Sequence, residues 1–268
     1  MWGIIPAAGN GTRIQPLAFS KELLPVGSRQ DDGTERPRAV SEYLIERMLQ
    51  GGADKLCFVI SRWKFDILQY YGGEIGSKET GKAAIVYAVQ PDAKGLCDAI
   101  FRAVPFVGSE EPVLVGLPDT IWLPQDAFAR LPHDKLAFLT FPVAQPELFD
   151  AVVSDGDRVR EIQVKREGAE SNWIWGAFSM PGAVLHDLYR LWRRRRERDE
   201  YIGTLVNAYL ATGGEAVAVP AGTDYVDVGT LGGYREAMRL LTEAAPAPNA
   251  NRVAPFPVVT RHVAARRR

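Results

Sequence analysis

The chain has 268 residues, 46% hydrophobic and 24% charged, with a formal net charge of −1. This balance gives no general attraction to nucleic acid or to an anionic membrane, and the length suits one large core. No apolar run approaches the roughly 20 residues that span a bilayer, and the two cysteines, Cys57 and Cys97, have no cluster of His and Cys around them and make no disulfide framework.

With no disulfide framework the chain reads as cytoplasmic, and strand-like sequence beginning at Trp2 is expected to leave no room for a targeting segment. Trp2–Ala8 is short, apolar and followed by Gly9, which predicts a buried strand entering a tight loop. Arg29–Arg38 is polar, with Gly33 and Pro37, and reads as a surface loop. Ser41–Leu49 has apolar side chains at Leu44, Ile45, Met48 and Leu49, a helical spacing that ends at Gly51-Gly52. Leu56–Ile60 is a second buried strand; Trp63–Tyr71 reads as helix, Ala83–Val89 as strand and Gly95–Val104 as helix. Val113–Val115 is a strand running into Leu117-Pro118-Asp119, and Lys135–Phe141 is another. Ala151–Ser154 and Arg158–Val164 flank a hairpin turn at Asp155-Gly156-Asp157. Trp173–Met180 is an aromatic-rich strand, Ala183–Arg196 and Tyr201–Leu210 are helices, Ala216–Val219 is a strand and Leu231–Thr242 the last helix. Within the first of those helices the basic run Arg193–Arg196 reads as a solvated face.

Strands alternating with helices imply an α/β fold, its largely parallel sheet covered on both faces, and the hairpin region makes that sheet mixed. Residues 1–242 read as one domain. The Ala-, Pro- and Asn-rich stretch 243–268 is expected to be a mobile tail.

Four constellations carry chemistry. Directly after the first strand stands Ala7-Ala8-Gly9-Asn10-Gly11-Thr12-Arg13, followed by Lys21-Glu22-Leu23-Leu24-Pro25-Val26. Glycines let backbone N–H groups approach phosphate oxygens, and Arg13 and Lys21 add positive charge. A Walker A loop is absent, and the third glycine of a dinucleotide fingerprint is replaced by Ile14. The second constellation is Gln90-Pro91 with Gly95, where an amide at a strand end has both a donor and an acceptor to offer. The third is Asp119, a carboxylate at the end of an apolar strand, with Asp227 in Tyr225-Val226-Asp227-Val228-Gly229-Thr230 as its partner. The fourth is Gln163-Val164-Lys165, followed by Ser171-Asn172 and Gly176-Ala177-Phe178.

Residues 3–26 resemble the signature of the sugar-1-phosphate nucleotidyltransferases, the family of glucose-1-phosphate thymidylyltransferase and UTP–glucose-1-phosphate uridylyltransferase. Similarity continues more thinly to about residue 240. The resemblance implies a Rossmann-like three-layer sandwich, mostly parallel in its central sheet, and a reaction between a nucleoside triphosphate and a hexose 1-phosphate that releases pyrophosphate. It implies that Ala8, Gly9, Gly11, Thr12 and Arg13 hold the nucleotide phosphates together with Lys21, and that Gln90 and Gly95 bind the base. Asp119 and Asp227 would hold Mg²⁺, and Lys165 the sugar phosphate, with Asn172, Gly176 and Arg198 near it. Pyrimidines are favoured, dTTP or UTP, with CTP open. Relatives often form homo-oligomers.

Two departures matter. Where the family has Glu-Lys-Pro, this chain has Val164-Lys165-Arg166, so the Glu that touches hexose hydroxyls is gone and the sugar stays open. The family stretch Arg-Gly-Glu-x-Glu-Ile-Thr-Asp is only echoed by Arg198–Leu205, and Asp199 and Glu200 read as charges at a helix N-terminus. Two other readings stand beside the enzyme. A glycosyltransferase would want Asp-x-Asp, where Asp119-Thr120-Ile121 stands; a sensor of nucleotide or sugar phosphate need not keep Arg13, Lys21, Asp119, Lys165 and Asp227 together.

Overall fold

The computed structural model describes residues 1–31, 33–77 and 81–244. In chain order the elements are β1 (Trp2–Pro6), β2 (Pro25–Asp31), β3 (Thr34–Ala39), α1 (Val40–Gln50), β4 (Lys55–Ser61), α2 (Phe65–Tyr71), β5 (Glu74–Ser77), β6 (Gly81–Gln90) and α3 (Leu96–Phe101). They continue with β7 (Pro112–Gly116), β8 (Thr120–Leu123), β9 (Leu136–Pro142), β10 (Asp150–Asp155), β11 (Arg158–Val164) and β12 (Trp173–Pro181). Last come α4 (Gly182–Arg194), α5 (Ile202–Ala211), β13 (Ala216–Val219), β14 (Asp224–Asp227) and α6 (Leu231–Ala244).

Ten strands form one sheet in the order β10-β11-β13-β9-β12-β7-β1-β4-β6-β5. From the pairings, β1, β4, β6, β7, β9, β10 and β13 run one way, and β5, β11 and β12 run against them. The sheet is therefore mixed, with most strands in one direction, as the alternation of elements predicts. Side chains alternate across each strand. Ile4, Cys57, Val59, Val113 and Val115 pack with α3, α4 and α5, whereas Ile5, Leu56, Phe58 and Leu114 pack with α1 and α2. Both faces are thus covered, and the central strands read as near-continuous apolar runs for that reason. Cys57 and Cys97 are buried free thiols, and burial pushes Cys57 up to about 12.

The segment expected to be a surface loop, Arg29–Arg38, is instead most of the β2–β3 hairpin. Its polar residues are what hold it. Arg29 Nη1 donates to Glu42 Oε2 at 2.5 Å, and Arg38 pairs with Glu46, both carboxylates lying on the buried helix α1. Three short strands, β5, β8 and β14, also escape the sequence reading. Of these β14 and β8 form a separate antiparallel ribbon, which α6 braces through a small apolar cluster of Val26, Tyr43, Ile121, Val226 and Leu240. In the expected tail, Glu243 and Ala244 close α6, and 245–268 lie outside the described residues.

Candidate active site

A cleft of about 450 Å³ opens beside the carboxyl ends of β1 and β7 and reaches across to β11 and the start of α5. Ligands of open α/β sheets bind at such strand ends. Nine of the sequence-predicted residues line it: Ala8, Gly9, Arg13, Lys21, Gln90, Gly95, Asp119, Lys165 and Asp227.

The carboxylates are brought together by the small ribbon. Asp227, last in β14, is the register partner of Thr120, next in chain to Asp119, and the Val228 amide donates to the Asp119 carbonyl at 2.8 Å. A Cβ placed on Gly229 would meet Asp227 Oδ1 at 2.8 Å, Arg13 Nη2 at 3.2 Å and Asp119 Oδ2 at 3.3 Å. Two carboxylates and a guanidinium therefore converge on one point, and only glycine leaves space there. Each carboxylate already has a cation: Arg13 Nη2 donates to Asp227 Oδ2 at 2.9 Å, and Lys21 Nζ donates to Asp119 Oδ2. Burial works against the charge on Asp119, but Lys21 outweighs it and holds the carboxyl below the usual range. Burial likewise opposes the charge on Lys21, and Asp119 and Glu22 raise it above the ordinary lysine value.

Behind Lys21 lies a pair the sequence reading missed. Glu22 is buried, and Lys64 Nζ sits 2.7 and 2.8 Å from its two oxygens while donating to the Ala7 carbonyl at 2.7 Å. This ties the loop after β1 to the end of β4. Burial dominates both partners here, raising Glu22 and lowering Lys64. Gly11 is outside the cleft wall but packs on Lys21, whose Cδ would lie 2.8 Å from an added Cβ.

Gln90 is 3% exposed, and its Nε2 donates to the Gly95 carbonyl at 3.1 Å and to Asp98 Oδ2 at 2.8 Å. Both of those partners are acceptors, which fixes the amide orientation and leaves the Oε1 acceptor for a ligand. Gly95 has φ +93°, and its missing Cβ makes room for Glu200, whose Cα would lie 2.7 Å away. The Glu200 carbonyl accepts the amide of Leu96 at 2.7 Å.

Lys165 follows β11 with φ +44°, uncommon for a residue with a Cβ. Its amide donates to the Phe149 carbonyl at 2.9 Å, and its Nζ lies 4.6 Å from the Tyr201 ring centroid and 3.3 Å from the Tyr201 hydroxyl. Thr12, Asn172, Gly176 and Arg198 do not line the cleft. Gly176 lies behind its wall, packed against the rings of Phe141 and Tyr225, and Arg198 is exposed. The neighbouring Asp199 is held by Arg195 in two hydrogen bonds of 2.7 and 2.9 Å, and Arg193 pairs with Glu197, so the basic run makes local surface pairs. Asp150, Trp175, Tyr201 and Tyr225 also line the cleft and were missed. The one available signal was the aromatic content of the strand and of the Tyr225 motif.

The family model for nucleotidyl transferases matches residues 2–244. This chain belongs to that family. Two curated members are similar to this nucleotidyl transferase over most of its length. A glucose-1-phosphate thymidylyltransferase from Neisseria meningitidis is 29% identical over 250 residues, covering 88% of this chain and 81% of the relative. The UTP–glucose-1-phosphate uridylyltransferase AglF from Haloferax volcanii is 28% identical over 194 residues, covering 69% of this chain and 74% of the relative. A stronger but shorter match, 34% over 135 residues, spans about half the length of a Bacillus subtilis relative, 46%. Among solved structures, a UTP-bound UGPase from Acinetobacter baumannii superposes with a TM-score of 0.72 at 19% identity, covering 91% of this chain and 94% of that one, which is a likeness of fold. Among the described residues no helix is long and apolar enough to cross a membrane.

Proposed function

We propose that this chain is a cytoplasmic, Mg²⁺-dependent enzyme that joins a nucleoside triphosphate, dTTP or UTP, to a hexose 1-phosphate and releases pyrophosphate. The observation that carries it is the meeting of Arg13, Lys21, Asp119, Asp227 and Lys165 around one cleft. Residues 1–242 act as one catalytic domain on a Rossmann-like, three-layer frame. The thymidylyltransferase and uridylyltransferase names of the relatives favour a pyrimidine. Gln90 supports uracil or thymine, whose N3–H would donate to the free amide oxygen.

Two carboxylates aimed at one open point suit Mg²⁺, which takes one or two carboxylates and completes its shell with phosphate oxygens and water. Asp119 and Asp227 would hold the ion, which would supply positive charge beside the α-phosphate. Arg13 and Lys21 then turn from those carboxylates to the triphosphate, and Arg13 favours pyrophosphate as leaving group. Lys165 fixes the sugar phosphate for in-line attack. An oxygen of that phosphate forms the new bond to the α-phosphorus as the bond to pyrophosphate breaks. The attacking phosphate carries close to two negative charges at neutral pH, since its second pKa is about 6, so no general base is required. Catalysis is positioning and charge neutralisation.

The test is pyrophosphate release with Mg²⁺, a panel of sugar 1-phosphates and each of dTTP, UTP, CTP, ATP and GTP. Release is expected with dTTP or UTP, dependent on both metal and sugar phosphate. Asp119→Asn and Lys165→Ala should each lower kcat by on the order of 100-fold. Near-normal turnover in both variants would overturn the assignment of roles. Silence across the panel with nucleotide still bound would favour a sensor.

A further inference from the structure

The proposed reading gives the sugar phosphate an anchor at Lys165 and says nothing about what reads the sugar ring. Of the cleft's acidic side chains without a role in that mechanism, Glu22 is paired with Lys64 and Glu200 is exposed, which leaves Asp150. Asp150, first in β10, is 8% exposed and lines the cleft. Among the described residues no cation pairs with it, and its one side-chain hydrogen bond comes from Trp175 Nε1 to Oδ2 at 3.3 Å. Among the described residues nothing donates to its other oxygen, Oδ1. A buried carboxylate with one long hydrogen bond is poorly compensated, and such groups in native proteins need a reason.

The strand register says where this oxygen sits. Asp150 is the direct cross-strand partner of Val164, whose chain neighbour is Lys165. The Lys165 amide is bonded to the carbonyl of Phe149, the residue before Asp150. Lys165 stands one residue past the end of β11, where its φ of +44° takes it out of the strand's alternation, and it lines the same cleft as Asp150. A phosphate held by Lys165 brings the ring attached to it within reach of Asp150. Burial raises the Asp150 carboxyl above its ordinary value, while Trp175 and then Lys165 pull it back.

We propose that Asp150 is the specificity residue of the sugar subsite: Oδ1 accepts a hydrogen bond from a ring hydroxyl, and its charge restricts the site to neutral, hydroxylated sugar 1-phosphates. A sugar acid 1-phosphate would bring a second carboxylate against Asp150, and like charges brought together in a buried site are strongly disfavoured. Trp175 acts through Asp150, fixing its orientation.

The experiment rests on the functional reading and is arranged to fail separately from it. The full chain is assayed with Mg²⁺, its accepted triphosphate, and glucose, galactose, mannose and glucuronic acid 1-phosphates. The wild type should favour a neutral sugar over the glucuronic acid 1-phosphate by about 100-fold in kcat/KM. Asp150→Asn keeps the side-chain volume and an oxygen for Trp175. It should raise KM for the preferred neutral sugar about 10-fold, because a charge-assisted hydrogen bond becomes a neutral one. It should also lower the neutral-to-acid preference about 10-fold, and leave KM for the triphosphate within about 2-fold. A merely structural Asp150 would move both substrates together and leave the preference intact, and that result overturns the proposal. Equal use of neutral and acid sugars by the wild type overturns it without any variant. A wild type that turns over no sugar 1-phosphate overturns the functional reading, and the proposal with it.

Discussion

At Glu111 three donors converge on one carboxylate: Lys55 Nζ, the Gly108 amide at 2.7 Å and the Trp2 indole at 3.1 Å. The hydrogen bond from Lys55 is the largest influence, followed by the Gly108 amide, and together they outweigh burial and hold the carboxyl at about 2, below its ordinary 4.5. A depressed pKa contributes stability above the unfolded value, and that contribution fades as pH falls through the folded one. The window is therefore pH 4.5 down to about 2. The side chain is 32% exposed, so solvent screening limits the worth of the contact to about 1 kcal/mol. Glu111→Gln should melt roughly 2–4 °C below the wild type at pH 7. Across a series of thermal melts that gap should stay constant down to pH 4.5 and close towards pH 2. A gap that widened on acidification would contradict the sign.

Among the elements, the short helix α3 and the segment before α5 are locked together at Gly95. The residue combines φ +93° with a Glu200 backbone that leaves no space for a methyl group. Gly95→Ala should therefore push the Glu200–Tyr201 segment outward, destabilising the fold by about 1–3 kcal/mol in urea titration. Because Tyr201 sits over Lys165, the same change should raise KM for the sugar phosphate. An alanine variant of wild-type stability and KM would show that the contact is not tight. The sequence made Gly95 visible as a special backbone position, but its neighbour Glu200 lies 105 residues along the chain and no local pattern announces it. The same contrast runs through the fold. Core strands such as Leu56–Ile60 were legible because burial on both faces writes an apolar run. The β2–β3 hairpin was not, because ion pairs to Glu42 and Glu46 on another element hold it, and a polar, glycine-containing stretch reads as loop. In the site, Arg13, Lys21, Asp119, Lys165 and Asp227 stood in long motifs. Asp150 did not, because only the folded β10–β11 pair brings it to the cleft that Lys165 lines.

On the scale of the whole molecule, the cleft is where distant parts of the chain are tied together. Arg13 and Asp227 are 214 residues apart, and Lys21 and Asp119 are 98 apart. Each ion pair joins the segment between β1 and β2 to the β8–β14 ribbon. In the free protein, then, both carboxylates that would hold Mg²⁺ are neutralised by the cations that would hold the triphosphate. The two ligands should bind as a coupled pair, because the triphosphate draws Lys21 and Arg13 away and so frees Asp119 and Asp227. Millimolar Mg²⁺ alone should raise the melting temperature by less than about 1 °C. With dTTP or UTP at about 100 times its Kd, Mg²⁺ and nucleotide together should stabilise by about 2.7 kcal/mol, a shift of several degrees. Lys21→Ala separates this account from simple additivity. It leaves Asp119 without its cation, so the response to Mg²⁺ alone should grow while the response to nucleotide shrinks. If the wild type and Lys21→Ala respond equally to Mg²⁺ alone, Lys21 does not compete for that carboxylate and the coupling is absent.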